Sequence, residues 1–288
     1  MDGGIAMEGG ASRTALGAAI YRAAHQLIDR PQVFADPLAL SIIGPEAEAK
    51  VRGAANSLRS RLTASLRLFV AVRSRFAEDT LVGAYAAGTR QYVLLGAGLD
   101  TFAYRSAGNF PRLRIFEVDH LDTQAWKREQ LARAKIDLPS ALSFAPIDFE
   151  RESLPDALAH AGFDPKAPAL FAWLGVVPYL THESIFSTLR VIATFARGTI
   201  VIFDYGEPAN MRSPRRWAAH AMLAARVAAA GEPFRSYFRP DEIVSEIRTL
   251  GYSRVDDFNA EALNVRYFAV PNEASRLLGG GHIVRAVV

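Results

Sequence analysis

The sequence predicts an α/β fold, a mostly parallel sheet with helices on both faces behind a helical N-terminal cap. Three observations predict it. Five short apolar runs (Gln91–Leu95, Leu113–Asp119, Ala141–Pro146, Ala169–Trp173 and Thr199–Asp204) alternate with helix-length segments, which is how a parallel sheet with right-handed crossovers reads. The first ninety residues hold helical periodicity and no strand signal. The first run ends in Gly96-Ala-Gly98, at the strand end where open α/β sheets take ligands.

The elements follow in order. Ser12 or Thr14 caps a helix through Leu27, and Pro31 ends it. Asp36-Pro37 begins a short helix that stops near Gly44-Pro45. From Ala47 to Ala87 the pattern is again helical, with Leu58, Leu62, Leu66, Phe69 and Val70 on one face and Gly88 as the C-cap. A helix over Thr123 to Lys135 follows the second run. The tail adds an Ala-rich helix (Trp217 to Ala230), a helix from Pro240 to Leu250, a strand near Tyr252 to Asp256 and a last strand over Ile283 to Val288. The chain therefore divides into a disordered leader at 1–11, a helical cap or lid at 12–90 and a sheet core at 91–288. Cap and core make one structural domain.

Composition excludes more than it identifies. The 288 residues contain no cysteine, which removes disulfides, thiolate nucleophiles and Cys-based zinc sites. Thirty-three basic residues face thirty acidic ones, interleaved along the whole chain, so no nucleic-acid patch is expected. The longest apolar stretch that could suggest a span, Trp217 to Ala225 between Arg216 and Arg226, is well short of the ~20 residues of a membrane span. The N-terminus has an acid where a signal peptide has basic residues, and the expected location is the cytoplasm. No HExxH or comparable ligand spacing occurs, so no metal is expected.

Gly96 and Gly98 let the backbone turn tightly and approach a ligand without a Cβ in the way. The turn is expected to open into a helix whose free N–H groups face that ligand. A dinucleotide fingerprint would have a third glycine near Thr101, and this chain does not. Asp119 ends the second strand about twenty residues after the glycines, the place of an acid for ribose hydroxyls. The alternative is a helix N-cap before LDTQAWKREQL. Glu117 lies deeper in the strand. Asp148-Phe149 after the third strand could hold an adenine edge through a carboxylate and the next N–H, or simply cap the segment from Arg151 to Leu158.

The strings RQYVLLGAGLDTFAYR, FEVDHLDTQAWKREQL, the Ile147-Asp148-Phe149 step and FAWLGVVPYLTHES together resemble the leucine carboxyl methyltransferase-like family. Its bacterial branch consists of S-adenosylmethionine-dependent O-methyltransferases, many of them in secondary metabolism. The resemblance runs from TALGAAIYRAAH and FADPLAL to GEPF at 231–234 and the last strand. It implies a class I methyltransferase fold, Rossmann-like with seven strands, and S-adenosylmethionine as cofactor. It also implies that Arg73 binds the methionine carboxylate, with Arg75 as a competing candidate. Gly96 and Gly98 then line the cofactor, Asp119 takes the ribose, and Asp148 with Phe149 takes the adenine. The chain departs from better-known members at Trp173-Leu174-Gly175, where Leu174 replaces an acid.

Methyl transfer from a sulfonium is an in-line displacement, and the protein's work is alignment in a dry pocket. A carboxylate acceptor with a pKa of about 4 arrives ionised and needs no base. A hydroxyl would want a nearby His or carboxylate. None of the six histidines (25, 120, 160, 182, 220 and 282) is assigned as a base, although His25 and His120 are plausible near a pocket. Tyr179 and Tyr205 follow strands four and five, where they could orient the substrate or merely pack with bonded hydroxyls. Tyr21 and Arg22 could face the same cleft from the cap. Asp256-Asp257 reads as the solvated end of a late strand.

The cap and WAAHAMLAARVAAAG are expected to shape the pocket for a small-molecule acceptor. That Ala-rich stretch could equally be a dimer contact or simple core, which leaves room for a homo-oligomer. Two rival readings stand beside the methyltransferase: a nicotinamide-dependent oxidoreductase and a non-catalytic cofactor-binding protein.

Overall fold

The sheet is built from β1 (Gln91–Leu95), β2 (Arg114–Asp119), β3 (Leu142–Pro146), β4 (Ala169–Trp173), β5 (Ile200–Gly206), β6 (Arg254–Phe258) and β7 (Gly281–Val287). Their order is β3-β2-β1-β4-β5-β7-β6, parallel through the first five, with β7 antiparallel to both β5 and β6. The expected mostly parallel seven-stranded sheet is what forms. Successive strands step outward one way from β1 and the other way from β4, so the carboxyl ends of β1 and β4 flank the switch point of the topology. The computed structural model describes residues 13–54, 61–148, 152–212, 214–268 and 276–288. The expected leader at 1–11 and Phe149 lie outside them.

Eleven helices are described: α1 (Arg13–Ile28), α2 (Ala39–Ile42), α3 (Pro45–Gly53), α4 (Arg61–Ala86), α5 (Phe102–Ser106), α6 (Leu121–Arg133), α7 (Leu154–His160), α8 (His182–Ile192), α9 (Pro214–Ala229), α10 (Pro240–Thr249) and α11 (Ala260–Tyr267). The period-two alternation of the strands sorts their side chains onto two faces. Val93, Phe116, Phe171, Trp173 and Phe203 pack with Leu158, Ile185, Leu189 and Ile243 of α7, α8 and α10. Tyr92, Leu94, Ile115, Leu170 and Ile202 pack with Phe76 of α4, Phe102 of α5 and Leu263 of α11. Every residue of β1 and β4 is buried, as a sheet covered on both sides requires.

The segment expected to be one helix over Ala47 to Ala87 is two. Proline starts α3, and the helix stops at Gly53, a weak helix former, with Ala54 as the cap. In α4 the buried stripe is Leu68, Ala71, Val72 and Phe76. Of the expected face Val70 is buried, while Leu66 and Phe69 are half-buried. Leu58 and the Leu62 side chain lie outside the description. Gly88 does close α4, at φ +106°, with Thr89 N–H returning to the Ala84 carbonyl. β5 runs to Gly206 because Tyr205 and Gly206 pair with His282 and Gly281 on β7.

The cap is tied down by charge as well as by apolar contact. Leu16, Ala19 and Ala23 of α1 pack with Ile42, Val51, Leu99 and Leu131. The fully buried His25 holds Asp29 through Nδ1 at 2.8 Å, and Arg67 of α4 reaches the same carboxylate at 2.6 and 2.7 Å. Burial alone would raise the Asp29 pKa, but these two partners bring it below the usual value. Helix α4 thus joins the cap to the sheet. No described helix is long and apolar enough to cross a membrane.

Candidate active site

The turn after β1 is specified by what a side chain would strike. Gly96 has φ +65°, and a Cβ there would sit 2.4 Å from Val176 Cγ2. Gly98 has φ +46°, and its Cβ would sit 3.1 Å from Ala15 Cβ on α1. The cap therefore rests directly on the glycine turn. Arg22 fastens it there, donating to the Leu99 carbonyl and pairing with Asp36 at 2.8 Å. Thr101, at the position of the missing third glycine, is buried with its hydroxyl on Asp36. The helix that follows, α5, is a single short turn, and its first N–H (Phe102) is already taken by Asp100 Oδ1 at 2.7 Å. Free helix N–H groups facing a ligand, expected from sequence, are curtailed by that cap.

Asp119 projects from the end of β2 onto this turn. Its Oδ2 accepts the Gly98 N–H at 2.6 Å and its Oδ1 accepts the His120 N–H at 2.7 Å. Burial pushes its carboxyl pKa up, more than these N–H groups and the neighbouring Lys127 lower it. The N-cap of α6 is His120, whose Nδ1 accepts the Asp122 N–H, so Asp119 is not spent on capping. Asp148 and Glu152 bond reciprocally, with Asp148 N–H on Glu152 Oε2 and Glu152 N–H on the Asp148 carbonyl, both at 2.8 Å. Ser153 caps α7, so Asp148 is not that helix's cap either.

Arg73 comes to the other side of the switch point from α4. Its Nη1 donates to Asp204 Oδ2 at 2.9 Å, and Gly175 N–H donates to Asp204 Oδ1 at 2.6 Å. Gly175 has φ +71°, and a Cβ on it would lie 2.4 Å from the Arg73 guanidinium. The cation thus lies flat on bare backbone just beyond β4. Arg75 instead points outward and pairs with Asp79. Sequence reading missed Asp204, although one acid closing the apolar run Thr199–Phe203 was a usable signal.

Tyr179 joins this end of the cleft from the turn Val177–Tyr179. Burial pushes its hydroxyl up to about 12, in the combined field of Arg73, Glu232 and Asp204 and with a hydrogen bond to Thr14. Glu232 accepts the Arg13 N–H at 3.0 Å and also the Thr14 hydroxyl. The start of α1 and the loop after α9 are clasped together by those bonds. Tyr205 faces the opposite side of the sheet from Asp204. Its hydroxyl donates to Asp257 Oδ1 at 2.9 Å and its ring stacks on His282. His282 bridges Asp257 at 2.7 Å and Glu207 at 2.9 Å. Asp257 therefore belongs to a half-buried charge cluster around the buried His282 rather than to a solvated strand end. Among the described residues no group of three His, Asp or Glu side chains could hold a metal ion.

A family model described as leucine carboxyl methyltransferase matches residues 15–193. A Bacillus subtilis protein named as a candidate S-adenosyl-L-methionine-dependent methyltransferase is 27% identical over 297 residues, covering 96% of this chain and 97% of its own. A Saccharopolyspora erythraea protein with the same designation is 34% identical over 204 residues, covering 68% and 67%. Solved structures from Streptomyces avermitilis and Thermobifida fusca share the fold. Their TM-scores are 0.57 and 0.58 at 15% and 17% identity, over 94% of this chain and 96% and 93% of theirs. The chain belongs to the leucine carboxyl methyltransferase family.

Proposed function

We propose that the chain is an S-adenosylmethionine-dependent O-methyltransferase acting in line on a small organic acceptor of the secondary-metabolite kind, with a carboxylate oxygen favoured over a hydroxyl. The observation that carries this reading is the Arg73 guanidinium, laid on Gly175 and held by Asp204 at 2.9 Å, across the switch point from the Asp119 carboxylate. A cation and an anion beside two glycine cradles suit a ligand with a carboxylate at one end and ribose hydroxyls at the other. In that reading Arg73 binds the methionine carboxylate, Asp119 the ribose, and Asp148 with Phe149 the adenine. Gly96 and Gly98 allow the close approach. The bound sulfonium supplies an electrophilic methyl group.

The chain's own residues orient and exclude water. Ala15 and Arg22 seat the cap on the glycine turn, and the clasp at Glu232 closes the cleft from the far side. A carboxylate acceptor arrives ionised and needs no base. Leu174 lacks the expected carboxyl, but Asp204 brings one beside Gly175 from β5, and this weakens the non-catalytic reading. Thr101 at the third-glycine position weakens the nicotinamide reading.

Calorimetric titration with S-adenosylmethionine, S-adenosylhomocysteine, NAD and NADP tests the reading. The first two bind and the nicotinamides do not; tight NAD binding with no adenosyl binding would overturn it. Asp119→Ala lowers S-adenosylhomocysteine affinity by about 10- to 100-fold, the cost of a lost charged hydrogen bond pair. Transfer of a labelled methyl group to a panel of carboxylic acids and their alcohols then decides the acceptor oxygen.

A further inference from the structure

Beyond the cofactor edge, the turn after β4, helix α9 and the loop that follows α9 carry a row of rings that methyl-donor binding does not use. Tyr179 stands 5.1 Å from Phe234, centroid to centroid. Phe234 stacks on His220 at 5.4 Å with the planes 11° apart. His220 Nε2 lies 2.9 Å from the Tyr237 hydroxyl. The row begins beside Arg73 and Asp204, whose charges act on Tyr179. It ends under Arg212, whose guanidinium sits 5.6 Å from the Tyr237 ring centroid.

Arg212 is the unusual member. One Nη2 N–H goes to the Glu207 carbonyl, while its buried Nε has no hydrogen-bond partner. It makes no ion pair among the described residues, and burial depresses its pKa. Burial, together with Arg212, also pushes the His220 pKa down to about 4, so the imidazole is neutral near pH 7 and offers no second charge. A desolvated guanidinium without a carboxylate is costly unless something anionic arrives to meet it. Its planar fork suits a carboxylate above other anions of the same charge. Rings at stacking distance favour a flat π system over a branched aliphatic chain.

We propose that Tyr179, Phe234, His220 and Tyr237 with Arg212 form the acceptor subsite, and that its ligand is a flat aromatic acid whose anionic group pairs with Arg212. This rests on the methyltransferase reading and names the substrate class for the same cleft. Arg212 is then a specificity residue, and the rings position the acceptor beneath the cap.

The test is calorimetry on the full chain saturated with S-adenosylhomocysteine, using 2-naphthoate, 2-naphthamide and decanoate as probes. Naphthoate binds about 10- to 100-fold more tightly than the amide, because only the acid meets the guanidinium. It also binds more tightly than decanoate, because only the arene stacks. Arg212→Gln removes the preference for acid over amide and Arg212→Lys keeps part of it, with S-adenosylhomocysteine affinity intact in both. Should Arg212→Gln fail to fold, Phe234→Ala serves instead and weakens both arene probes without weakening the adenosyl ligand. Equal binding of acid and amide, a preference that survives Arg212→Gln, or no probe binding at about millimolar concentration overturns the proposal. Failure of S-adenosylhomocysteine itself to bind is a separate result, and it sinks the methyltransferase reading first.

Discussion

The two edges of the cleft are made of different material. At the ends of β1, β2 and β4 the donors are mostly main-chain: the N–H groups of Gly98, His120 and Gly175 meet the carboxylates of Asp119 and, reaching over from β5, Asp204, which Arg73 also joins. At the ends of β5, β6 and β7 they are side-chain: His282 bridges Asp257 and Glu207, and rings from α9 and its loop pack on one another. A backbone donor survives most substitutions around it, whereas a side-chain cluster is rewritten by one. The first arrangement suits a ligand that never changes. Substitutions that break one edge should therefore leave the other working, and that separation is testable.

The largest effect is expected at His282. Its side chain is only 4% exposed and sits between two carboxylates. Burial works against its charge, but the bonds and charges of Asp257 and Glu207 outweigh burial and raise its pKa above the ordinary value. A raised folded pKa means stability that is fully present below the unfolded value of about 6.5 and is lost as pH rises through the folded value. His282→Gln therefore costs about 3 kcal/mol near pH 6, with two half-buried acids left without their shared partner, and the deficit shrinks toward about pH 9. Denaturant unfolding at the two pH values checks the sign; a deficit that grows with pH contradicts the bridge. S-adenosylhomocysteine affinity stays within about twofold near pH 6 if the edges are independent.

Gly175→Ala comes next and strikes the opposite edge. The new methyl group would lie 2.4 Å from the Arg73 guanidinium, the far end of a flexible side chain that can swing aside. The fold should bear only the cost of a left-handed alanine, about 1 to 2 kcal/mol. If Arg73 binds the cofactor carboxylate as proposed, that group loses its aligned partner and affinity for S-adenosylhomocysteine falls by about 10- to 100-fold. Calorimetry paired with a melting curve separates the two effects. Unchanged affinity would mean that Arg73 does not face the cofactor.

The same contrast explains what the sequence made legible. The five parallel strands were readable because each is a short run with an apolar centre, and β1 and β4 begin and end where the pattern says. The glycine turn and Asp119 were readable because their chemistry is local in sequence. Asp204 was not, because its partners Arg73 and Gly175 lie 131 and 29 residues away. Asp257 was read as part of a solvated strand end because β7, which brings His282 to it, inserts antiparallel between β5 and β6, a pairing that periodicity does not encode. The break between α3 and α4 was missed because one glycine in an Ala-rich run barely disturbs the helical period. Arg212 and His220 acquire meaning only through the rings they meet in space.

The smallest effect belongs to the clasp that spans both edges. Glu232, from the loop after α9, accepts the Arg13 N–H at 3.0 Å and the Thr14 hydroxyl, while Thr14 also meets Tyr179. This joins the start of the cap to the acceptor side without touching Arg73 or Asp119. Glu232→Gln keeps one acceptor oxygen and loses the charge, so the clasp weakens by about 0.5 to 1 kcal/mol. Such a loss at a half-exposed position should barely move the melting temperature. It should instead open the cap more often, raising the rate of S-adenosylhomocysteine release by about two- to fivefold. Association should hardly change, because the glycine turn and Asp119 are intact. Stopped-flow release measured with and without 2-naphthoate sharpens the comparison. If the clasp links the edges, the arene slows release in the wild type and less so in the variant; equal slowing in both means the two edges do not communicate through Glu232.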